Sequence, residues 1–493
     1  MKNEISRNIL ASLLLQFITI ISGLVIPKII LVNFGSNING MVSSLNQFLN
    51  YISLLEGGLS GVVMASLYKP LVNKDEKKIS AIIKVTSQFL KKIAKIYILY
   101  TLAVSILYPL FVNTGFSWNY VFILTIILSF NLFIQYFFSL TYRLLLNADR
   151  KGYIVSYAQM LFIFLNMVLT IVAVNFIKSI HLVKLVSTIT FIVQPVIFSI
   201  YVKKHYHIEK DVQADKAALS QRWDGFGQNF AFFIHTNTDI VLITIFMTLK
   251  DVSVYSVYLM VANSLKSIAI SVSGAISPFM GKALVTEKSR KNEIFDQYTL
   301  LINILTTFLF SCGILLIVPF IKVYTLEITD TDYIQPLFGI TILLAEAVYC
   351  YRDPYVNVAY ASGHFKQTAA YAYLEALVNI IISVIAIKYL GILGVAIGTL
   401  ISMIIRMVLQ VLYIKKNILY RPVKKWVKSM LVYMFVLLLC ILSGYIQITK
   451  SVTSYTGWFF IAIISAAVCA VIIIIVTFIC YKSLVLSTIN RKK

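Results

Sequence analysis

Charge is scarce in this sequence, and acidic charge is scarcest. Charged residues make up 13% of 493, with 20 Asp and Glu against 43 Lys and Arg. Soluble domains carry roughly 25% charged residues, so a chain this poor in charge cannot keep a water-facing surface all round. Cysteine is sparse as well. Cys312, Cys350, Cys440, Cys469 and Cys480 all fall in apolar stretches at no metal-ligand spacing. That pattern excludes a disulfide scaffold or a zinc module and leaves small buried hydrophobes. No Gly-rich loop followed by Lys-Ser/Thr occurs, so the sequence offers no phosphate cradle for ATP hydrolysis. Nor is there a long polar segment to house a catalytic domain, so no enzymatic activity is expected.

What is present is apolar. Hydrophobic residues reach 59% and the mean hydropathy is +0.86. Apolar runs of roughly 20 residues alternate with short polar connectors, each run matching the ~30 Å hydrocarbon core of a bilayer. Fourteen spans are expected, at about 9–32, 40–65, 93–113, 117–140, 153–176, 182–202, 225–247, 252–278, 299–321, 334–361, 367–388, 391–414, 429–447 and 457–481. No small-residue cleavage site follows the first run, which is too long for a signal-peptide core, so it counts as a span.

The formal net charge of +23 is unevenly distributed. With the N-terminus inside, most Lys and Arg fall in cytoplasmic connectors, above all in the runs Lys74–Lys95 and Lys415–Lys428. This positive-inside bias places both termini in the cytoplasm. The basic runs then read as topology signals and contacts with anionic membrane lipid, not as a nucleic-acid surface.

An internal duplication organises the chain. The stretch from Met41 to Leu71 recurs 213 positions later, from Val254 to Leu284, with Ser43/Ser256, Asn50/Asn263, Ser60/Ser273, Gly61/Gly274, Lys69/Lys282 and Leu71/Leu284 identical. The same offset returns at Ala148/Ala361 and Asn166/Asn379. The expected organisation is a six-helix bundle over 1–205, a solvated linker over 206–222, a repeated bundle over 223–416, and two further helices with a cytoplasmic tail over 417–493. An even number of crossings per bundle makes the repeats parallel, related by an axis along the membrane normal. The two helices of the repeated stretch are expected to be equivalent posts, except that Lys266 in the second copy faces Ser53 in the first.

Ionisable groups inside spans are costly and mark a cavity, a pathway or an internal ion pair. Lys266, with Asn263 one turn away, is the leading candidate for an anionic head group. Arg352, in a span with Glu346, Asp353 and the helix-bending Pro354, could grip a phosphate bidentately or pair with an acid. Arg406 lies near the cytoplasmic end of its span and ranks lower, and Arg143 reads as a topology charge. Asp239 and His235, one turn apart amid Thr and Asn, suit a Na⁺ or proton coupling site or a packing network. Glu56, before Gly57 and Gly58, and Glu375 are candidates for coupling or for ion pairs with Lys266 or Arg352. No resident metal or other cofactor is expected. His205 and His207 in the linker give only a weak metal spacing.

Several stretches carry a resemblance. Arg7-Asn8 before the first span, Glu56-Gly57-Gly58-Leu59, Ala361-Ser362-Gly363-His364-Phe365-Lys366, Glu375-Ala376-Leu377-Val378-Asn379 with Ser383, and Gly391-Ile392-Leu393-Gly394-Val395-Ala396-Ile397-Gly398-Thr399 together resemble the polysaccharide flippases. These are the O-antigen and capsule repeat-unit transporters of the multidrug/oligosaccharidyl-lipid/polysaccharide exporter superfamily. Glu56 departs from the aspartate more usual there. The resemblance implies two bundles in a V, alternating access, and a lipid-diphosphate-linked oligosaccharide moved to the outer leaflet in exopolysaccharide assembly. It also implies a polysaccharide polymerase and glycosyltransferases as pathway partners. A lipid II flippase and a cation-coupled drug exporter of the same superfamily are the alternatives. The drug exporter predicts twelve spans and an acid-dominated cavity. A membrane glycan polymerase or ligase would need a large outer loop rich in Arg and His; the outer connectors here are short, the longest running roughly from Lys322 to Tyr333.

Overall fold

In the computed structural model, residues 2–209, 211–223, 226–287, 289–448 and 452–489 are described, and among them the protein is helical throughout with no strand. Sixteen helical segments follow in chain order: α1 Lys2–Asn50, α2 Leu59–Asn73, α3 Glu76–Phe111, α4 Trp118–Ile134, α5 Leu140–Ala148, α6 Gly152–Phe176, α7 Ile180–Phe191, α8 Val193–His205, α9 Phe226–Phe246, α10 Leu249–Thr286, α11 Lys291–Tyr324, α12 Pro336–Ala361, α13 Phe365–Leu390, α14 Ile392–Asn417, α15 Lys424–Ile448 and α16 Tyr455–Ile489. Among the described residues, eleven helical stretches are long and apolar enough to cross a bilayer.

These segments resolve into the fourteen expected spans. α1 holds the first span and half of the second, divided where Gly35 takes φ 80°. A π-helical turn at Gln135–Ser139 joins α4 to α5, and α7 runs into α8 around Pro195. α9 and α12 are long enough, at 21 and 26 residues. Their polar residues, not their length, set them apart from the more apolar helices. Large apolar side chains such as Phe111, Phe176 and Ile479 are exposed, as a lipid-facing surface requires.

The chain divides into two compact units, Met1–Phe233 with Met247–Ser253, and Ile234–Phe246 with Val254–Lys493. In the first unit the start of α10 is clamped to α1. Any Cβ at Gly40 would lie 1.7 Å from the Leu249 carbonyl oxygen, so only glycine admits this approach. Asn39 Nδ2 then donates to Ser253 Oγ at 2.7 Å.

The connector expected to be solvated is docked instead. Lys84 Nζ donates to the Val212 carbonyl at 2.9 Å, and Glu209 N–H to Ser80 Oγ at 3.0 Å. A 3₁₀ segment at Lys216–Trp223 buries Ala218 and Leu219, and Ser66 Oγ donates to the Ala218 carbonyl at 3.1 Å. Its few apolar residues, spaced among charges, are enough to seat it on α2 and α3.

The repeated stretches differ locally. The second copy lies within one helix, α10. The first breaks into a 3₁₀ turn at Tyr51–Leu55 and then at Glu56–Gly58, where Gly57 takes φ 54°. The offset sets Ile270 and Ser271 opposite Gly57 and Gly58, so only the first copy has residues that admit the break at no steric cost.

In the second unit α13 packs along α14 through Gly394 and Gly398. A Cβ at Gly394 would fall 2.4 Å from the Ala386 backbone, and one at Gly398 2.3 Å from Ser383 Oγ. This is small-residue packing, in which backbones approach because side chains are missing. α15 and α16 close over α11, burying Leu315, Val436, Cys440, Cys469 and Ile473. Cys440 and Cys469 are buried and Cys312 half-buried at this junction, all three unbridged.

Candidate functional site

The polar side chains within the spans of the second unit form three linked clusters on α9 to α14. The first is built on α10 and α12. Lys266 Nζ is 3.0 Å from both carboxylate oxygens of Glu346 and 5.2 Å from the Tyr349 ring centroid. Arg352 lies over the same ring, its Cζ at 4.8 Å. The i, i+3 spacing of Glu346 and Tyr349 puts carboxylate and ring on one face of α12, so a single lysine reaches both. The Lys266 side chain is 21% exposed and that of Glu346 only 5%, so the cation lies at the open side of the pair. Asn263, one turn earlier, is exposed.

The second cluster encloses two arginines. Arg352 donates to Glu375 Oε1 at 2.5 Å, and Arg406 donates to Glu375 Oε2. Side-chain exposures are 3% for Arg352, 4% for Arg406 and zero for Glu375. In this state neither guanidinium is open to a ligand. Arg406, which its position suggested would extend to the membrane surface, turns inward because an acid on α13 lies within reach. Asp353 accepts from Ser273 Oγ and from Asn357 Nδ2, the latter at 2.8 Å, and Asn357 also donates to Tyr298 Oη at 2.9 Å.

The third cluster surrounds Asp239 on α9. Its Oδ2 accepts from Tyr255 Oη at 2.7 Å and from Thr399 Oγ1 at 2.8 Å. Its Oδ1 faces Asn379 Nδ2 at 3.3 Å, and Ser383 Oγ donates to Asn379 Oδ1 at 2.8 Å. The Val395 carbonyl accepts from Thr399 Oγ1 at 3.1 Å. These carboxylate, amide, hydroxyl and carbonyl oxygens are the donor set a hard monovalent cation prefers. The side chain of His235 lies outside the described residues. Glu56 belongs to the first unit, where Ser60 Oγ donates to it at 2.7 Å. Among the described residues no group of three or more His, Cys, Asp or Glu could hold a metal ion.

Of the partners, the sequence points only to Glu375 as one candidate acid for Arg352. Tyr255, Asn357 and Tyr298 carry no sequence signal, because neutral polar residues in apolar runs are common, and Thr399 enters only through the resemblance. The repeat offered one usable signal. At the 213 offset Asp239 matches Ile26, while Asn379 matches Asn166, whose Oδ1 is buried without a hydrogen bond. The shared asparagine has found an acid in one copy only.

Long apolar helices interrupted by buried ion pairs and oxygen clusters define a multi-pass membrane protein. Among solved structures it is similar over 97% of its length, and over 100% of the other chain, to the lipid II flippase MurJ in an inward closed conformation, with a TM-score of 0.72 and 19% identity. It is also similar to an inward-facing multidrug resistance MATE family transporter of the MOP superfamily (TM-score 0.64, 14% identity, 81% and 95% of the two chains). The MATE multidrug transporter DinF-BH is a further neighbour (TM-score 0.63, 13% identity, 85% and 96%). No family model and no curated protein sequence matches the chain. At these identities the likeness establishes the fold: that of the flippases and exporters of this superfamily.

Proposed function

We propose that this protein is a flippase that carries a lipid-diphosphate-linked oligosaccharide from the cytoplasmic to the outer leaflet for assembly of a cell-surface polysaccharide. The observation that carries the flippase part of the proposal is the extent of the fold, while the oligosaccharide cargo rests on the resemblance in the sequence. α15 and α16 are packed onto α11 as part of the second unit, and the flippase overlay takes in 97% of the chain, whereas the two drug-transporter overlays take in 81% and 85%. A drug exporter of twelve spans would leave two of the fourteen without a counterpart.

Within this reading Lys266 is the cation offered to the anionic head group. Glu346 holds it at rest, and a diphosphate carrying more charge would compete for it. Arg352 and Arg406, closed on Glu375, position α12, α13 and α14 instead of gripping substrate in this state. Asp239, with Asn379, Ser383, Thr399 and the Val395 carbonyl, would hold a coupling Na⁺ or proton. The protein would work in a bacterial cytoplasmic membrane with both termini inside, supplying a polymerase with units made by glycosyltransferases. Lipid II is the second reading, favoured by the similarity to MurJ.

The test is translocation in proteoliposomes holding the full chain, with a fluorescent lipid-diphosphate oligosaccharide in one set and fluorescent lipid II in another. Faster movement of the oligosaccharide carrier supports the proposal; movement of lipid II alone replaces it with the second reading. Lys266→Ala should reduce the rate at least tenfold with protein levels unchanged, and an unchanged rate removes the lysine from the substrate path.

A further inference from the structure

The first unit contains a second cationic site, which the proposal above does not use. A cavity of about 520 Å³ opens between the N-terminal part of α1, α2, the end of α5 and the start of α6. Its walls bring together Arg143, Arg150, Asn147, Gln159, Ser60 and Ser156. Two guanidinium groups thus share one space with three amide and three hydroxyl side chains, Asn8 and Ser12 included.

What distinguishes these arginines is that, among the described residues, no acid forms an ion pair with either of them. Asp149 is held at 2.8 Å by Lys151 and at 2.5 Å by Tyr206 Oη. Burial and the Asp149 carboxylate beside it push the Tyr206 phenol up, so it stays a donor to that carboxylate. Glu56 accepts from Ser60, and although its field reaches Arg143, no ion pair forms within 4.0 Å. Lys266, Arg352 and Arg406 each lie on a carboxylate. Among the described residues, neither the Arg143 nor the Arg150 guanidinium has a hydrogen-bond or ion-pair partner.

The turn that presents Arg150 is built for the purpose. Arg150 takes φ 60°, a left-handed conformation that costs a non-glycine residue about 1 kcal/mol. Asn8 holds it there, with Nδ2 donating to the Arg150 carbonyl at 2.7 Å and Oδ1 accepting from Tyr153 N–H at 2.6 Å. Gly152 leaves room for this, since a Cβ there would lie 3.3 Å from both the Asn8 and Asn147 side-chain oxygens. Asn8, of the Arg7-Asn8 pair at the start of α1, thereby acquires a physical role. The first turn of α6 lines the same cavity and adds the positive end of its dipole.

We infer that this cavity binds a phosphoryl anion, a phosphate or diphosphate, with Arg143 and Arg150 as its charged grips and Asn8 as the positioning residue. Guanidinium forks backed by neutral amide and hydroxyl donors match the several oxygens of a phosphoryl group. The group could come from a membrane phospholipid, from a carrier-lipid diphosphate or from solution. Only the carrier-lipid source rests on the flippase reading.

The experiment is calorimetric titration of the purified full chain with inorganic pyrophosphate, which needs no transport activity. Arg143→Gln with Arg150→Gln should weaken binding at least tenfold, whereas Arg143→Lys with Arg150→Lys should stay within about threefold. Asn8→Ala should weaken it severalfold through Arg150. Lys91→Gln, on a separate apolar cavity of the same unit, serves as the control and should leave binding unchanged. If the double glutamine variant fails to fold, Arg150→Gln alone decides, because Arg150 is exposed. Affinity within twofold of wild type in the folded glutamine variant, or equal loss in Lys91→Gln, overturns the inference. Competition then assigns the source. Displacement of pyrophosphate by farnesyl diphosphate micelles but not by phosphatidylglycerol vesicles supports a carrier-lipid head; displacement by both supports a general lipid headgroup; displacement by neither supports a free anion. A protein that binds pyrophosphate here yet moves neither lipid in the translocation assay keeps this site and loses the flippase reading.

Discussion

Glu375 lies between two guanidinium groups with no exposure of its own, and Glu375→Gln removes its charge while keeping its shape. In the wild type the triad carries one net positive charge; in the variant it carries two, buried side by side. Each Arg–Glu attraction at about 4 Å between charge centres is worth roughly 4 kcal/mol at an effective dielectric of 20. Relief of the carboxylate's own desolvation offsets part of that, so the net loss should be about 3–5 kcal/mol, as for other broken buried pairs. At ~2–4 °C per kcal/mol this lowers the unfolding midpoint by roughly 10 °C. The assay is thermal unfolding of the purified protein in detergent, with the double variant Glu375→Gln, Arg406→Leu alongside. Removing one of the two stranded cations should recover about half the loss. A midpoint within about 2 °C of wild type for Glu375→Gln would refute the reasoning. It would mean that the arginines are hydrated and reachable, and would return Arg352 and Arg406 to the substrate-binding set.

Three more outcomes are expected. Gly398→Ala forces a methyl group against Ser383 and should cost about 1–3 kcal/mol by overpacking; a neutral midpoint would show that α13 and α14 are free to separate. If the Asp239 cluster takes Na⁺, exchanging choline chloride for sodium chloride should raise the wild-type midpoint, and Asp239→Asn should abolish that rise. An equal rise in both would exclude Asp239 as the ion site. Gly57→Val places a β-branched residue at φ 54° and should lower the midpoint by several degrees, whereas Ile270→Ala on α10 breaks no such conformation and should cost less.

Much of this protein is legible in its composition. A chain with 13% charge and apolar runs of bilayer length must be helical and membrane-spanning, because only helices satisfy their own backbone polar groups in lipid. Even the spans hidden by polar residues, α9 and α12, could be counted, since a crossing is a matter of length. The 213-residue echo and the unusual charges at Lys266, Arg352 and Asp239 were likewise visible residue by residue.

Pairing was legible only in part. Glu375 is a candidate acid for Arg352 on sequence grounds, but nothing in the linear order says that Arg406, 54 positions beyond Arg352, shares it, or that Lys266 meets Glu346, because helix rotation and tilt are set by packing. Identical spacing also failed to guarantee identical shape: Gly57 broke one copy of the repeat, and Ile270 left the other continuous. Arg143 shows the same limit from the other side. Its place at a span end suggests a topology signal, and only the tertiary structure set it over a cavity with no acid among the described residues paired to it. Sequence alone determined what kind of environment each residue had to survive in. The fold decided which of the costly charges neutralise one another and which remain open to a ligand, because burial and partnership are properties of three-dimensional packing.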